Sequence, residues 1–321
     1  MCLLLLLVGL GVILLYRWHR QSQILENLTD KYVFITGCDS GFGNLLAKQL
    51  DRRGMKVLAA CLTQTGAENL KKETSSRLQT TILDVTDTKS VSSAAEWVSA
   101  TVGNAGLWGL VNNAGIASSL SPNEWETRED FFRMINVNLL GTMDVTVQLL
   151  HLIRRAQGRV VNVSSGAGRT ANVGGGYAPS KFAVEAFSDS LRRDMRDFGV
   201  KVSIIEPGCF RTPILCNRET FLKKLKQQWD NLPAKMKEDY GEDYYKQCVK
   251  VLEGLSVGAD PKIHKVTDCM EHALTAVHPW TRYSPGWDCK LYLIPLSYLP
   301  TFMADYILCR NGPKVARKNA S

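Results

Sequence analysis

Tyr32-Val33-Phe34-Ile35-Thr36-Gly37-Cys38-Asp39-Ser40-Gly41-Phe42-Gly43 is a short β-branched and aromatic run that breaks into a turn built on three glycines. Tyr32–Thr36 reads as a buried strand and the residues after Gly43 as a helix through about Arg53, which Gly54 ends. Glycines at this junction permit a tight turn and close backbone approach, so a pyrophosphate can rest on the helix N-terminus. The stretch therefore predicts a strand–turn–helix unit of a dinucleotide-binding sheet.

The same rhythm continues downstream. Strands are expected at Lys56–Cys61, Thr80–Leu83, Gly109–Asn112, Arg159–Val163 and Lys201–Ile205. Helices are expected over about Lys89–Thr101, Arg128–Ile153 and Ala178–Phe198. Parallel strands need crossover helices and bury both faces, so the alternation predicts an α/β fold, a Rossmann-type doubly wound parallel sheet in a single domain. A helix near His264–Val277 and a strand at Lys290–Leu293 should complete it. Residues 213–262 interrupt the alternation with Lys, Glu, Trp and Tyr at near-helical spacing. Following the sixth strand directly, they are expected to form a helical substrate lid over the carboxyl ends of the strands, where such sheets bind ligands.

Both ends of the chain are apolar. Cys2 to Leu15 carry no charge and lead into Tyr16-Arg17-Trp18-His19-Arg20. With no basic region before the run and no small-residue cleavage site after it, residues 1–20 read as an uncleaved N-terminal membrane anchor. Residues 21–321 would then form the α/β body. Residues 294–308, broken by Pro295 and Pro300, are too short to span and would pack in the core or lie on a membrane surface. The net charge of +8 is dispersed, apart from Lys223-Lys224-Leu225-Lys226 and a basic tail at Lys314, Arg317 and Lys318. This suits a solvated basic surface with a mild affinity for anionic lipid better than nucleic-acid binding. Nine cysteines without a Cys-x-x-Cys indicate neither a disulfide framework nor a metal site.

The residues that carry chemistry lie around Tyr177-Ala178-Pro179-Ser180-Lys181. A helix starting there places the phenol and the ammonium on one face. At about 4 Å and an effective dielectric near 20, the ammonium would favour the phenolate by roughly 4 kcal/mol, about three pKa units. Upstream, the acid that would hold a ribose 2′-hydroxyl is missing at Ala60-Cys61-Leu62-Thr63, and no lysine or arginine replaces it. Asp39 inside the glycine loop would either form an Asx turn or repel a 2′-phosphate; the second reading favours NAD and leaves NADP as the alternative.

Thr36-Gly37-Cys38-Asp39-Ser40-Gly41-Phe42-Gly43, Asp84-Val85, Asn112-Asn113-Ala114-Gly115, Val137-Asn138-Leu139, Asn162-Val163-Ser164-Ser165, Tyr177-x-x-x-Lys181 and Glu206-Pro207-Gly208 occur in this order along the chain. Together they resemble the short-chain dehydrogenase/reductase family. Gly106-Leu107-Trp108-Gly109-Leu110-Val111, Ser188-Asp189-Ser190-Leu191-Arg192-Arg193 and Arg282-Tyr283-Ser284-Pro285-Gly286-Trp287-Asp288 extend the likeness to its membrane-bound retinol and 3α/17β-hydroxysteroid dehydrogenase branch.

That resemblance implies a catalytic set. Tyr177 would be the general acid/base and Lys181 would lower its pKa and hold the nicotinamide ribose. Ser165 would orient the reacting oxygen and Asn138 would support a water relay. Ser165 precedes Tyr177 by twelve residues where thirteen is usual; spacing favours Ser164, while Gly166-Ala167-Gly168 aligns Ser165. Thr36, Gly37, Asp39, Ser40, Gly41, Phe42, Gly43 and Gly115 would cradle the cofactor, Asp84 and Asn113 would meet its adenosine side, and Thr212, after Pro207 and Gly208, its carboxamide. Phe210, with Ser165 and Tyr177, would face substrate. The branch further implies a retinoid or steroid substrate and an endoplasmic reticulum membrane with the catalytic body facing the cytosol. A homodimer is left open.

Overall fold

In the computed structural model, which describes residues 2–118, 121–310 and 312–316, seven parallel strands form one sheet. These are β1 (Tyr32–Thr36), β2 (Lys56–Cys61), β3 (Gln79–Ile82), β4 (Gly109–Asn112), β5 (Arg159–Val163), β6 (Lys201–Ile205) and β7 (Arg282–Tyr283). Their spatial order is β3-β2-β1-β4-β5-β6-β7, so the winding reverses between β1 and β4. Val33, Phe34 and Ile35 pair with Gly109, Leu110 and Val111 across that junction. Side chains alternate along each strand and fill a core on each face. Val33, Ile35, Val57 and Ala59 belong to one core and Phe34, Leu58 and Ala60 to the other. Truncating a filled site such as Phe34, which is fully buried, to alanine would cost about 3–5 kcal/mol.

The helices follow in chain order. They are α1 (Cys2–Ser22), α2 (Gly41–Arg52), α3 (Gln64–Lys72), α4 (Thr88–Val102), α5 (Arg128–Ile135), α6 (Gly141–Ala156) and α7 (Tyr177–Asp194). After β6 come α8 (Pro213–Cys216), α9 (Arg218–Asn231), α10 (Ala234–Tyr240), α11 (Glu242–Gly258), α12 (His264–Thr275), α13 (Ile294–Leu296) and α14 (Thr301–Cys309). A capping box between Thr127 and Asp130 starts α5, which continues into α6 through a π-helical turn at Asn136–Leu140.

The lid has its own small core. Leu225, Cys248 and Leu252 pack on Trp125, which follows β4, and Trp229, Tyr240 and Tyr244 meet that indole tilted or edge-on. Lys224 is ion-paired with Asp130 at the start of α5 at 2.5 Å. These contacts hold α9 to α11 against the segment between β4 and α5.

One expectation is corrected. Lys290–Leu293 is not a strand: Cys289–Leu293 is a π-helical turn leading into α13. Its cause is spacing, because Cys289 and Leu293, four residues apart, are both buried over Gly166. The seventh strand is instead Arg282–Tyr283, paired with Ile204 and Ile205. At the N-terminus, Val12, Ile13, Leu14, Leu15, Tyr16 and Trp18 of α1 are exposed, and no helix among the described residues is long and apolar enough to cross a membrane. The helix α14 buries none of its residues and leaves Phe302 and Tyr306 open. Arg317 and Lys318 of the basic tail lie outside the described residues.

Candidate active site

The carboxyl edge at the β1–β4 junction is shaped by the glycine loop. Gly37 has φ +71°, and a Cβ there would lie 2.9 Å from Cα of Ala114. A Cβ on Gly43 would collide with the Gly37 carbonyl and with Nδ2 of Asn113. The loop and the end of β4 thus touch backbone to backbone. Asn113 locks them, because its Nδ2 donates to the carbonyls of Thr36 at 2.9 Å and Gly37 at 3.1 Å. The Thr36 hydroxyl accepts from the amides of Asn113 and Ala114, both at 3.0 Å. Thr36 and Asn113 therefore build the cradle from behind. Ser40 precedes α2 without a side-chain cap, so the first-turn N–H groups stay available to an anion. These features fit a dinucleotide pyrophosphate.

Asp39 leaves this loop toward the end of β2. Its carboxylate accepts from the Leu62 amide at 2.7 Å, the Thr63 amide at 3.0 Å and the Thr63 hydroxyl at 2.7 Å. Asp84, exposed after β3, accepts from the amide and hydroxyl of Thr86.

The catalytic candidates converge from three elements. Tyr177 opens α7 and Lys181 lies one turn on, with its Nζ 5.8 Å from the Tyr177 ring centroid. Lys181 is buried and donates to the Val163 carbonyl at the end of β5 at 2.9 Å. The two serines after β5 separate cleanly. The Ser164 hydroxyl is buried and donates to the Lys181 carbonyl at 3.2 Å, whereas the Ser165 hydroxyl accepts from the Ala167 amide at 3.1 Å and is close enough to the Tyr177 phenol to act on its ionisation. Asn138 sits in the π-helical turn. Its Nδ2 donates to the Ile116 carbonyl and to the Ser180 hydroxyl, both at 3.0 Å, and its Oδ1 accepts from the Ile116 amide at 2.9 Å. A Cβ placed on Gly115 would lie 3.2 Å from Asn138 Oδ1 and 3.7 Å from Lys181 Nζ, so both side chains close on that glycine.

Burial dominates the electrostatics. It raises the Tyr177 phenol above its ordinary value; the neighbouring Ser165 hydroxyl opposes the rise and the Cys209 thiol adds to it. Burial also lowers Lys181 to about 8, partly offset by Glu185 one turn further along α7. The expectation that Lys181 brings the phenol down is thus not met here. The same desolvation acts on both groups and outweighs their attraction.

The loop after β6 completes the rim. Thr212 is buried beside Gly41, with its Cβ 3.8 Å from where a Gly41 Cβ would stand, and Pro213 begins α8 at the same spot. The loop is fastened from the far end of the chain. The Cys209 amide donates to Asp288 at 2.6 Å, the Gly208 amide donates to the Pro285 carbonyl at 3.0 Å, and a Cβ on Gly208 would collide with the Asp288 carboxylate. Phe210 is a correction. Only 3% exposed, its ring packs edge-on against Phe42 at 6.0 Å within the core, so it supports the loop from beneath and presents no face to substrate.

Sequence reasoning assigned no role to Asp288, Glu206 or Arg282. Buried Glu206 accepts from Arg169, Arg282 and Ser284, and Arg282 also reaches Glu185 and Asp189 on α7. This network braces α7 against β6 and β7. Its sequence signal was the Arg282 to Asp288 stretch, quoted only for its likeness.

Against known proteins, the model of the short chain dehydrogenase family matches residues 31–222. The chain is 54% identical over 307 residues to human 17-beta-hydroxysteroid dehydrogenase type 6, covering 96% of each chain. It is 55% identical over 314 residues to rat retinol dehydrogenase 7, covering 98% of each. Among solved structures, a short-chain dehydrogenase from Streptomyces avermitilis superposes with a TM-score of 0.69 at 25% identity, covering 86% of this chain and 95% of that one.

Proposed function

The chain belongs to the short-chain dehydrogenase family, and from that premise we propose that it oxidises a lipophilic alcohol, a retinoid or a hydroxysteroid, with NAD, using Tyr177, Ser165, Lys181 and Asn138. It is an oxidoreductase acting on CH–OH groups. The observation that carries the assignment of roles is the convergence of Tyr177, Lys181 and Ser165, with Lys181 Nζ 5.8 Å from the Tyr177 ring and the Ser165 hydroxyl acting on the same phenol.

When bound, a nicotinamide supplies the hydride acceptor. The protein does the rest. Ser165 Oγ holds the alcohol oxygen against Tyr177, and the Tyr177 oxygen takes the hydroxyl proton as the C–H bond breaks. Lys181, held by the Val163 carbonyl, keeps a cation near the phenol. Asn138 fixes the backbone at Ile116 and, with Lys181, closes on Gly115, past which the proton would move. The lid core around Trp125 keeps water from the reacting atoms. Thr212 would meet the carboxamide at the rim.

The preference for NAD is supported by Asp39. Its carboxylate occupies the end of β2, where a ribose 2′-hydroxyl would be received and a 2′-phosphate repelled. A membrane site of action is supported by the exposed apolar residues of α1 and α14. On this reading α1 anchors the protein in the endoplasmic reticulum membrane with the body facing the cytosol, and lipid-dissolved alcohol enters beneath the lid.

The test is a substrate panel with the full-length protein in detergent. All-trans-retinol or androstanediol should drive NAD⁺ reduction at higher kcat/KM than NADP⁺ reduction. No turnover with either alcohol, alongside measurable NADH binding, would remove the substrate assignment; faster turnover with NADP⁺ would replace it with an NADPH-linked carbonyl reductase.

A further inference from the structure

At the amino edge of the sheet, opposite the catalytic rim, a buried arginine has no acidic partner. Arg159 opens β5 and is 3% exposed. Its Nη2 donates to the Ala276 carbonyl at 2.9 Å, while Nε and Nη1 have no hydrogen-bond partner. The guanidinium lies over the Trp108 ring at 5.1 Å, and Lys31 Nζ lies over the same ring at 4.4 Å. Lys201 Nζ donates to the neighbouring Val277 carbonyl at 2.8 Å. No Asp or Glu among the described residues pairs with Arg20, Arg159 or Lys201 or with the adjacent His278. A buried charge left in this state is costly unless a counter-charge arrives from elsewhere.

The end of α1 is stitched to this same turn. The Gln21 carbonyl meets His272 Nε2 at 2.9 Å, Leu25 N donates to the Thr275 carbonyl at 2.8 Å, and Val277 N donates to the Gln23 carbonyl at 2.9 Å. Arg20 is thereby brought beside Lys201 and His278. Burial, followed by the surrounding cations, depresses both of those groups, and burial lowers Arg159 to about 10. The neighbouring titratable groups bring no negative charge near neutral pH. The Tyr283 phenol is pushed above its ordinary value and is hydrogen-bonded to His272 and the Trp280 amide.

We propose that Arg20, Lys201 and His278, backed by Arg159, form a phosphate-binding site where α1 leaves the body. A phosphate offers several acceptor oxygens and up to two charges to a cluster of donors that lacks any negatively charged partner among the described residues. Two sources share this chemistry, a phospholipid headgroup and free phosphate. Exposed Leu14, Leu15, Tyr16 and Trp18 lie immediately before Arg20, which sets the cluster at headgroup depth if α1 enters a bilayer. The site is separate from the reaction: the five residues of β5 put it roughly 16 Å from Ser164 and Ser165.

The test titrates dihexanoyl phosphatidic acid, dihexanoyl phosphatidylcholine and inorganic phosphate into the full chain in neutral detergent at fixed ionic strength, with tryptophan fluorescence as readout. Lys201→Glu and Arg20→Gln, both at exposed positions, are the variants, and NADH binding at the opposite rim serves as the fold control. Saturable binding of the phosphatidic acid, weakened about tenfold or more in Lys201→Glu with NADH affinity unchanged, supports the site and a lipid source. Equal variant-sensitive binding of inorganic phosphate supports the site and a soluble source. Binding of neither anion, or binding that both variants leave intact, overturns the proposal.

Discussion

The carboxylate of Asp39, carried on the glycine loop, accepts the backbone N–H of Leu62 at 2.7 Å, just beyond the end of β2. A residue of the first crossover thus supplies negative charge where the second strand lacks an acid of its own. Asp39→Asn keeps the shape and removes the charge. The ratio of kcat/KM for NAD⁺ to that for NADP⁺ should fall about tenfold, equivalent to about 1.4 kcal/mol. An unchanged ratio would show that Asp39 only shapes the turn.

The glycine cradle makes a steric prediction. Gly43→Ala places a methyl against the Gly37 carbonyl and Asn113 Nδ2, the two atoms whose hydrogen bond closes the loop. NADH affinity should drop about a hundredfold, or roughly 3 kcal/mol, as overpacking forces the loop aside. Gly254→Ala in α11 meets nothing within 4 Å and should instead raise stability by about 0.5–1 kcal/mol. Fluorescence titration and thermal unfolding distinguish the two.

Asp288 is the remote fastening of the loop after β6, through the Cys209 amide at 2.6 Å. Asp288→Ala should raise the KM for NAD⁺ about fivefold to thirtyfold, reflecting about 1–2 kcal/mol of lost loop order, with a smaller change in kcat. A fall confined to kcat would place Asp288 in the chemistry itself.

The Tyr177–Lys181 pair sets a pH dependence. Lys181 titrates at about 8 and Tyr177 above its ordinary value, so the lysine loses its proton first. The state with phenolate and ammonium is then a minor form of the singly deprotonated pair. It grows about tenfold per pH unit below about 8 and holds constant above, until the phenol itself titrates. For alcohol oxidation, kcat/KM should follow that curve and level near pH 8. In Lys181→Arg, whose charge persists, the rise should continue past pH 8. A flat profile from pH 6 to 8 would contradict the assignment.

How much of this was legible in the sequence depends on the range of the forces involved. The β-branched runs, Gly37 and Gly43, and the Tyr177–Lys181 spacing are local patterns, and they placed the sheet and the two ends of the site. Contacts between distant segments left no such trace. The strand Arg282–Tyr283 has two residues, too few to show alternation, while Lys290–Leu293 looked extended until Cys289 and Leu293 were found buried on Gly166. The π-helical turn that carries Asn138 inward has no composition cue. Phe210 near the motif suggested a substrate surface, yet Phe42 from the first crossover draws it into the core. Ser164 and Ser165 are chemically equivalent in sequence, and only their opposite orientations across β5 separate them.

The central claim is that Tyr177 is the proton acceptor in alcohol oxidation, and Tyr177→Phe measured with all-trans-retinol or androstanediol and NAD⁺ tests it most directly. Removing one oxygen from a half-buried ring leaves the fold and the glycine cradle in place. NADH should bind within about twofold of the parent, while turnover falls by at least about a thousandfold, the upper range for loss of a general base. Turnover near the parent value, with cofactor binding intact, would contradict the assignment.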